Sequence, residues 1–418
     1  MPVNKLSCWK KRRICAILSN RYNTPIFTAE RGQVVKMKRT LSADKLQMIT
    51  QHTQERIDRG EISGSVSLVA QDGKLLYAKA QGYANYTRKV PLKTDTIFRL
   101  ASMTKPIIGV AVMQLEEQGK LSLDGPLSRY IPEFAGLQAC ESGKLVAVNR
   151  EIMIRDLLSH SCGLGQEEQG LQYIAENLPI GPNDTLASYV PKLAQVPLDF
   201  QPGTKTGYSP MAAFDILARV VEIVSGQTVD HYLRDHIFIP LDMRDTAFVL
   251  TGAQKSRLVE MTDHVGGVLT GVSDDEGSFP GDMCSDHYFC GGGGLYSTAE
   301  DYHRFAQMLL GAGSYQGRQL LRPETVEKMR TPQLPFDIPG RGPGEIWGLS
   351  MRVITGEENP SPHPAAHSFG WSGAWGTHFW VDPDNCLTAV RMINLIDAGG
   401  AGAITARELE QDVTDALK

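Results

Sequence analysis

Several features that would place a chain quickly are missing from this one. No uninterrupted apolar run approaches the roughly 20 residues that span a bilayer, so no membrane association is expected. Seven cysteines, an odd number, form no Cys-x-x-Cys pair, which argues against a disulfide framework and for buried thiols in a reducing compartment. The ten histidines show no metal spacing on a credible helix: His363 and His367 are four apart, but Pro362 and Pro364 break any helix there. Neither a metal nor an organic cofactor is expected. Surplus positive charge is missing too, and the formal net charge of −5 argues against a nucleic-acid partner. There is no Gly-x-Ser-x-Gly elbow, the nearest approach being Gly370-Trp-Ser-Gly-Ala374, so an α/β-hydrolase reading has no support.

What remains is an ordinary globular composition. With 42% hydrophobic and 21% charged residues over 418 positions, the chain can bury a large core in one big or two interleaved domains. Its first 36 residues hold eight Lys/Arg against one acid, Glu30. The apolar stretch Cys15–Leu18 is too short for a signal peptide. A disordered basic tail over residues 1–40 is expected, with Met37 a plausible initiator and the cytoplasm the expected location. The acidic loop Ser273-Asp-Asp-Glu-Gly277, with Asp282 and Asp286, reads as solvated.

The chemistry begins at Ser102-Met-Thr-Lys105, which opens the apolar run Ile107–Leu115. Residues three apart share a helix face, which puts the Lys105 amine beside the Ser102 hydroxyl. A serine needs such a base to become a nucleophile. Pro106 is tolerable in the first turn, and the free N–H groups there favour a developing negative charge. Two further copies of the spacing, Ser7–Lys10 and Ser42–Lys45, lack a buried helix behind them. Ser42 reads as the N-cap of a surface helix running to Arg59, with Lys45 solvated.

Strand-like runs at Ser65–Ala70 and Leu75–Ala80 flank Asp72-Gly73, a hairpin signal. Helical pieces follow at Ile152–Ser159, Thr185–Leu193, Met211–Ser225 and Val229–Phe238. Strands return at Trp347–Val353, His378–Asp382 and Leu387–Ile393, before a last amphipathic helix from Ile404 to Leu417. This order suggests an α/β domain built from residues 41–119 and 296–418, with a mostly helical domain over 120–295 between them. A cleft between the two would be the natural site.

Two further segments stand out. Tyr208, after Pro202-Gly203 and just ahead of a helix, could reach a cleft from a loop and accept the Ser102 proton. Taken alone, a tyrosine in this setting is more often a packed aromatic with a satisfied hydroxyl. In Trp371-Ser372-Gly373-Ala374-Trp375, small residues beside a strand would let a substrate approach the backbone, or would only serve a turn.

These segments and their order resemble the serine β-lactamase and penicillin-binding-protein superfamily, most closely its class C-like esterase branch, the family VIII carboxylesterases. Supporting phrases are Ile97-Phe-Arg-Leu-Ala-Ser-Met-Thr-Lys105, Leu157-Leu-Ser-His-Ser-Cys-Gly-Leu164, Tyr208-Ser209, Gly291-Gly-Gly-Gly-Leu-Tyr-Ser-Thr298 and Phe379-Trp-Val-Asp-Pro383. The resemblance implies an antiparallel sheet flanked by helices plus a helical domain. It makes Ser102 the acylated nucleophile, Lys105 its base or proton relay, and Tyr208 a second base. It puts Trp371-Ser372-Gly373 where class C enzymes carry Lys-Thr-Gly, with the N–H groups of Ser102 and Ala374 as oxyanion donors. Trp371 then replaces the cation that grips a β-lactam carboxylate, and Pro210 stands in for an asparagine. Trp371, Ser372, Gly373 and Trp375 are the expected substrate-contacting residues. The expected activity is hydrolysis of short-chain esters, a small-molecule substrate class. The alternatives are β-lactam or D-amino-acid peptide hydrolysis, acyl transfer, or a silent binding protein on the same scaffold.

Overall fold

The computed structural model describes residues 38–272, 285–356 and 364–418. The chain divides into residues 1–38 and 39–418, and the second unit holds everything below. Residues 1–37 of the basic tail, Cys284, His363 and the acidic loop with Asp282 lie outside the described residues, whereas Asp286 lies inside them and is exposed. Arg39 and Thr40, expected in the tail, instead bond to the folded unit, the Arg39 N–H donating to Asn385 Oδ1 at 3.3 Å and the Thr40 carbonyl accepting the Lys418 N–H at 3.0 Å.

An eight-stranded antiparallel sheet organises the unit, and both ends of the chain supply its strands. The N-terminal side gives β1 (Gly64–Gln71), β2 (Lys74–Asn85) and β3 (Val90–Pro91). The C-terminal side gives β4 (Glu345–Trp347), β5 (Arg352–Ile354), β6 (Phe369–Ser372), β7 (His378–Asp382) and β8 (Leu387–Met392). Their order is β4-β5-β6-β7-β8-β1-β2-β3. β8 joins the two sets, pairing Met392 with Val66 and Val390 with Leu68. Asp72 and Gly73 link β1 to β2 at φ 55° and 75°, as a two-residue hairpin loop requires.

Five helices position the site: α1 (Gln47–Asp58), α2 (Thr104–Glu117), α3 (Ala212–Ser225), α4 (Ala299–Leu310) and α5 (Ile404–Ala416). Every residue of β7 and β8 is buried, because helices cover both faces of the sheet. Side chains alternate between those faces. Trp380, Leu387 and Ala389 pack with Leu409 and Val413 of α5 and Ile49 of α1. Phe379, Val381, Val390 and Met392 join the main core with Tyr302 and Phe305 of α4. In α2, every residue from Thr104 to Leu115 is buried, so the apolar run after Lys105 is a core helix, packed against α3.

Three local expectations are corrected. Ser42 does not cap α1, which starts at Gln47; its N–H donates to the Ala416 carbonyl at 2.9 Å, tying the start of the unit to its end. The run Trp347–Val353 is two strands folded at Gly348–Met351, where Ser350 adopts φ 68°. Residues 120–295 contain more than helices. Hairpins form from Gln138–Glu141 with Lys144–Ala147 and from Met261–Val265 with Val268–Val272, and a helix spans Glu168–Asn177. Both hairpins are short; the first is largely exposed and the second buries only Met261, Thr262 and Leu269, so their strands carry little of the apolar alternation that marks a half-buried strand.

Candidate active site

The chain enters α2 through a 3₁₀ turn, Ala101–Met103, that carries Ser102. Ala101 stands at φ 46°, a left-handed conformation that costs an alanine about 1 kcal/mol, directly before the serine. One turn on, Lys105 is fully buried. Its Nζ meets three oxygens: Ser102 Oγ at 3.1 Å, and the carbonyl oxygens of Pro210 and Gly292, which accept its N–H groups, at 2.6 Å each. The amine is thereby aimed at the serine with no rotational freedom left.

The acceptor at Gly292 depends on a close approach. A Cβ there would lie 2.8 Å from Met211 Cα and 3.0 Å from the Pro210 oxygen, so only glycine lets this segment reach the start of α3. Asp215 of α3 fixes the same residue by accepting the Gly292 N–H at 3.0 Å and the Tyr288 hydroxyl at 2.6 Å. Burial pushes the Asp215 carboxyl up, while the Tyr288 hydrogen bond and the Lys105 charge pull it back. Sequence reasoning missed Asp215. Its signal is an acid inside the apolar run Ala212-Ala-Phe-Asp-Ile-Leu217, where a buried carboxylate needs donors and a cation.

Tyr208 reaches in from the loop before α3. Its phenolic oxygen accepts the Trp371 indole N–H at 3.3 Å, and its ring centroid lies 5.0 Å from Lys105 Nζ. Trp371, on β6, packs against Tyr208 with centroids 5.2 Å apart, and Trp347 closes the group at 4.5 Å from Trp371. Among the described residues Tyr208 makes no hydrogen bond to Ser102 or Lys105; catalytic hydrogen bonds often tighten only when substrate is bound.

His160 completes this aromatic group and was given no role from sequence. It is fully buried at φ 55°, with ring centroids 4.8 Å from Tyr208 and 4.2 Å from Trp347. Its Nδ1 accepts the Ser209 N–H at 3.2 Å, which places the ring proton on Nε2. Burial, helped by the Lys105 charge, holds its pKa well below the usual histidine value, so the ring is neutral at pH 7. It braces the residue next to Tyr208.

The end of β6 abuts the nucleophile turn. A Cβ on Gly373 would lie 2.2 Å from the Leu100 carbonyl oxygen and 3.3 Å from Ala101 Cβ, and Thr377 Oγ1 donates to the same Leu100 oxygen at 2.8 Å. Ala374 and Ser102 flank this contact. The turn's own backbone bonds use the N–H groups of Gly373 and Gly376, not that of Ala374. Ser372 is buried with its hydroxyl 2.8 Å from His378 Nδ1, on the strand face opposite Trp371, and so is turned away from Tyr208. Trp375 is half-buried, its carbonyl accepting the Leu395 N–H at 3.1 Å.

A nucleophile, a buried amine, a phenol and a glycine-bounded strand end thus meet around one turn. The β-lactamase family profile matches residues 49–411. The chain belongs to the β-lactamase family. An uncharacterised Mycobacterium tuberculosis protein is 33% identical over 364 residues, covering 81% of this chain and 87% of its own. Esterase EstB of Burkholderia gladioli is 30% identical over 364 residues, covering 82% of this chain and 88% of its own. Among solved structures, EstCE1, described as a hydrolase with promiscuous acyltransferase activity, aligns with a TM-score of 0.75 at 28% identity, covering 89% of this chain and 99% of its own. This β-lactamase-family protein is therefore a serine hydrolase of the family VIII carboxylesterase type, the branch its motifs resemble. A cavity of about 620 Å³ opens elsewhere on the hydrolase, between Phe238, Met243, Phe248 and Phe289. None of Ser102, Lys105, Tyr208 and Trp371 lines it, so the candidate site rests on the hydrogen-bond geometry around Ser102.

Proposed function

We propose that this hydrolase cleaves short-chain carboxylic esters through an acyl-enzyme on Ser102. The observation that carries this reading is Lys105 Nζ held 3.1 Å from Ser102 Oγ, with two of its N–H groups committed to carbonyls. In acylation, Ser102 Oγ bonds to the ester carbonyl carbon and gives its proton to Lys105 acting as the neutral amine, whose two N–H groups stay on the Pro210 and Gly292 carbonyls while its lone pair faces Ser102. The N–H groups of Ser102 and Ala374 receive the charge that develops on the carbonyl oxygen. The C–O bond to the alcohol then breaks, and the stored proton leaves with the alcohol. Water repeats the sequence on the acyl-enzyme: its oxygen bonds to the carbonyl carbon, Lys105 takes its proton, and Ser102 recovers that proton as the acid departs. Lys105 shuttles the proton at Ser102. Tyr208, whose oxygen is backed by the Trp371 indole N–H, supplies the second basic atom.

The same residues favour neutral substrates. Trp371 offers an indole that is already committed to Tyr208, so it presents no cation to a substrate carboxylate. Pro210 has no side-chain amide, and its carbonyl is occupied by Lys105. One lost charge-assisted hydrogen bond disfavours a carboxylate-bearing β-lactam by about 1.5–3 kcal/mol. Kinetics with p-nitrophenyl butyrate and nitrocefin test the preference. The ester's kcat/KM is expected to exceed that of nitrocefin by at least about tenfold, the lost contact lowering nitrocefin turnover by about that factor. The reverse order would overturn the esterase reading in favour of a β-lactamase.

A further inference from the structure

Behind the strand that leads to Ala374 lies a buried polar chain that the chemistry above does not use. Ser372 Oγ lies 2.8 Å from His378 Nδ1, and His378 Nε2 lies 3.2 Å from Glu410 Oε1 on α5. Arg352 of β5 donates from Nη2 to the same Glu410 oxygen at 2.9 Å. The side chains of His378 and Glu410 are 1% and 2% exposed, so solvent reaches neither. The order of groups is that of a Ser–His–acid triad, but Ser372 is itself buried and faces away from Tyr208, so no substrate reaches it.

The polarity of the chain follows from its acidic end. Glu410 is paired with an arginine and is therefore a carboxylate that only accepts. Nε2 lies 3.2 Å from that carboxylate but outside hydrogen-bond geometry, so it is the charge that favours the imidazole proton there and leaves Nδ1 to accept from the Ser372 hydroxyl. Burial holds His378 below the usual histidine pKa, against the opposing pull of Glu410, which keeps the ring in this neutral form.

The chain adds a side-chain link at one pair of the β6–β7 ladder. Ser372 and His378 are directly opposite across β6 and β7, and Gly373 donates to the Thr377 carbonyl at 2.8 Å in the next pair. Antiparallel pairs alternate, so Ser372 and His378 form the pair without mutual backbone hydrogen bonds. Their side chains make the link instead, one residue before the turn that holds Gly373 and Ala374.

We propose that His378 is a positioning residue for the oxyanion donor at Ala374, tying the end of β6 through Ser372 to Glu410 of α5 and Arg352 of β5. This rests on the esterase reading above. Loosening the tie lets the Ala374 N–H drift from the place where charge develops, an effect felt in the transition state more than in substrate binding.

The test is steady-state hydrolysis of p-nitrophenyl butyrate by wild type, His378→Ala, His378→Asn and Ser372→Ala, together with the rate at which a fluorophosphonate inactivates each. His378→Ala and Ser372→Ala should each lower kcat by about 10- to 100-fold, with KM changed less than about twofold. His378→Asn keeps an acceptor at the position of Nδ1 and should recover most of the loss. Should His378→Ala fail to fold, Ser372→Ala removes the same hydrogen bond by deleting one atom. Unchanged kcat in both alanine variants, or a loss confined to KM, would overturn the positioning role. A wild type without ester turnover would instead defeat the esterase reading, and the inactivation rates would then decide the positioning role alone.

Discussion

Replacing Lys105 with alanine lowers kcat/KM for p-nitrophenyl butyrate by at least about a thousandfold, within the range that removal of a positioned base produces. Its Nζ contacts Ser102 Oγ at 3.1 Å, and among the described residues no other cation contacts that oxygen. The variant also melts at a lower temperature. The Pro210 and Gly292 carbonyls each lose a 2.6 Å donor, and an acceptor left buried without a partner costs about 1–3 kcal/mol. Asp215, held at Gly292, loses the charge that offsets its own burial. Kinetics and thermal denaturation by circular dichroism check both effects. A variant keeping a tenth of the activity at unchanged melting temperature contradicts the assignment.

Gly373→Ala gives the second large loss, about a hundredfold or more in kcat. The added methyl carbon would meet the Leu100 carbonyl oxygen and Thr377 Oγ1, each at 2.2 Å. The first of these is backbone and cannot rotate aside, so β6 and the turn bearing Ser102 must separate. A displacement of about 1 Å at reacting groups is worth about 100-fold in rate. Gly136 is the natural control, because a Cβ there meets nothing within 4 Å. Its φ is 66°, so Gly136→Ala should cost stability but spare kcat. Equal kcat in Gly373→Ala and wild type contradicts the close contact.

Much of the site was legible because its key pair is local. Ser102 and Lys105 are one helical turn apart, and the unbroken apolar run after them could only be a core helix. Tyr208 and Trp371 were legible through motif resemblance, not spacing, since 163 residues separate them before the fold joins indole to phenol. The Asp72-Gly73 hairpin and the strands His378–Asp382 and Leu387–Met392 were legible from turn chemistry and alternation. What escaped depends on tertiary contact. Asp215 acts through Gly292, His160 through Ser209, and His378 through residues on two other elements, so no local pattern carries their roles. Ser372 was expected to touch substrate, but strand alternation turns its hydroxyl to the α5 side once Trp371 faces Tyr208. The fold at Gly348–Met351 escaped because its residues alternate as a strand would, while Gly348, whose Cβ would lie 2.2 Å from the Met329 oxygen, answers to packing alone.

The most direct test of Ser102 as the acylated nucleophile is mass spectrometry of the protein after reaction with a fluorophosphonate, followed by peptide mapping. One equivalent of adduct on Ser102, absent from a folded Ser102→Ala variant that has lost ester turnover, is the result this account predicts. An adduct on any other residue, or a Ser102→Ala variant that still hydrolyses p-nitrophenyl butyrate at the wild-type rate, would contradict it.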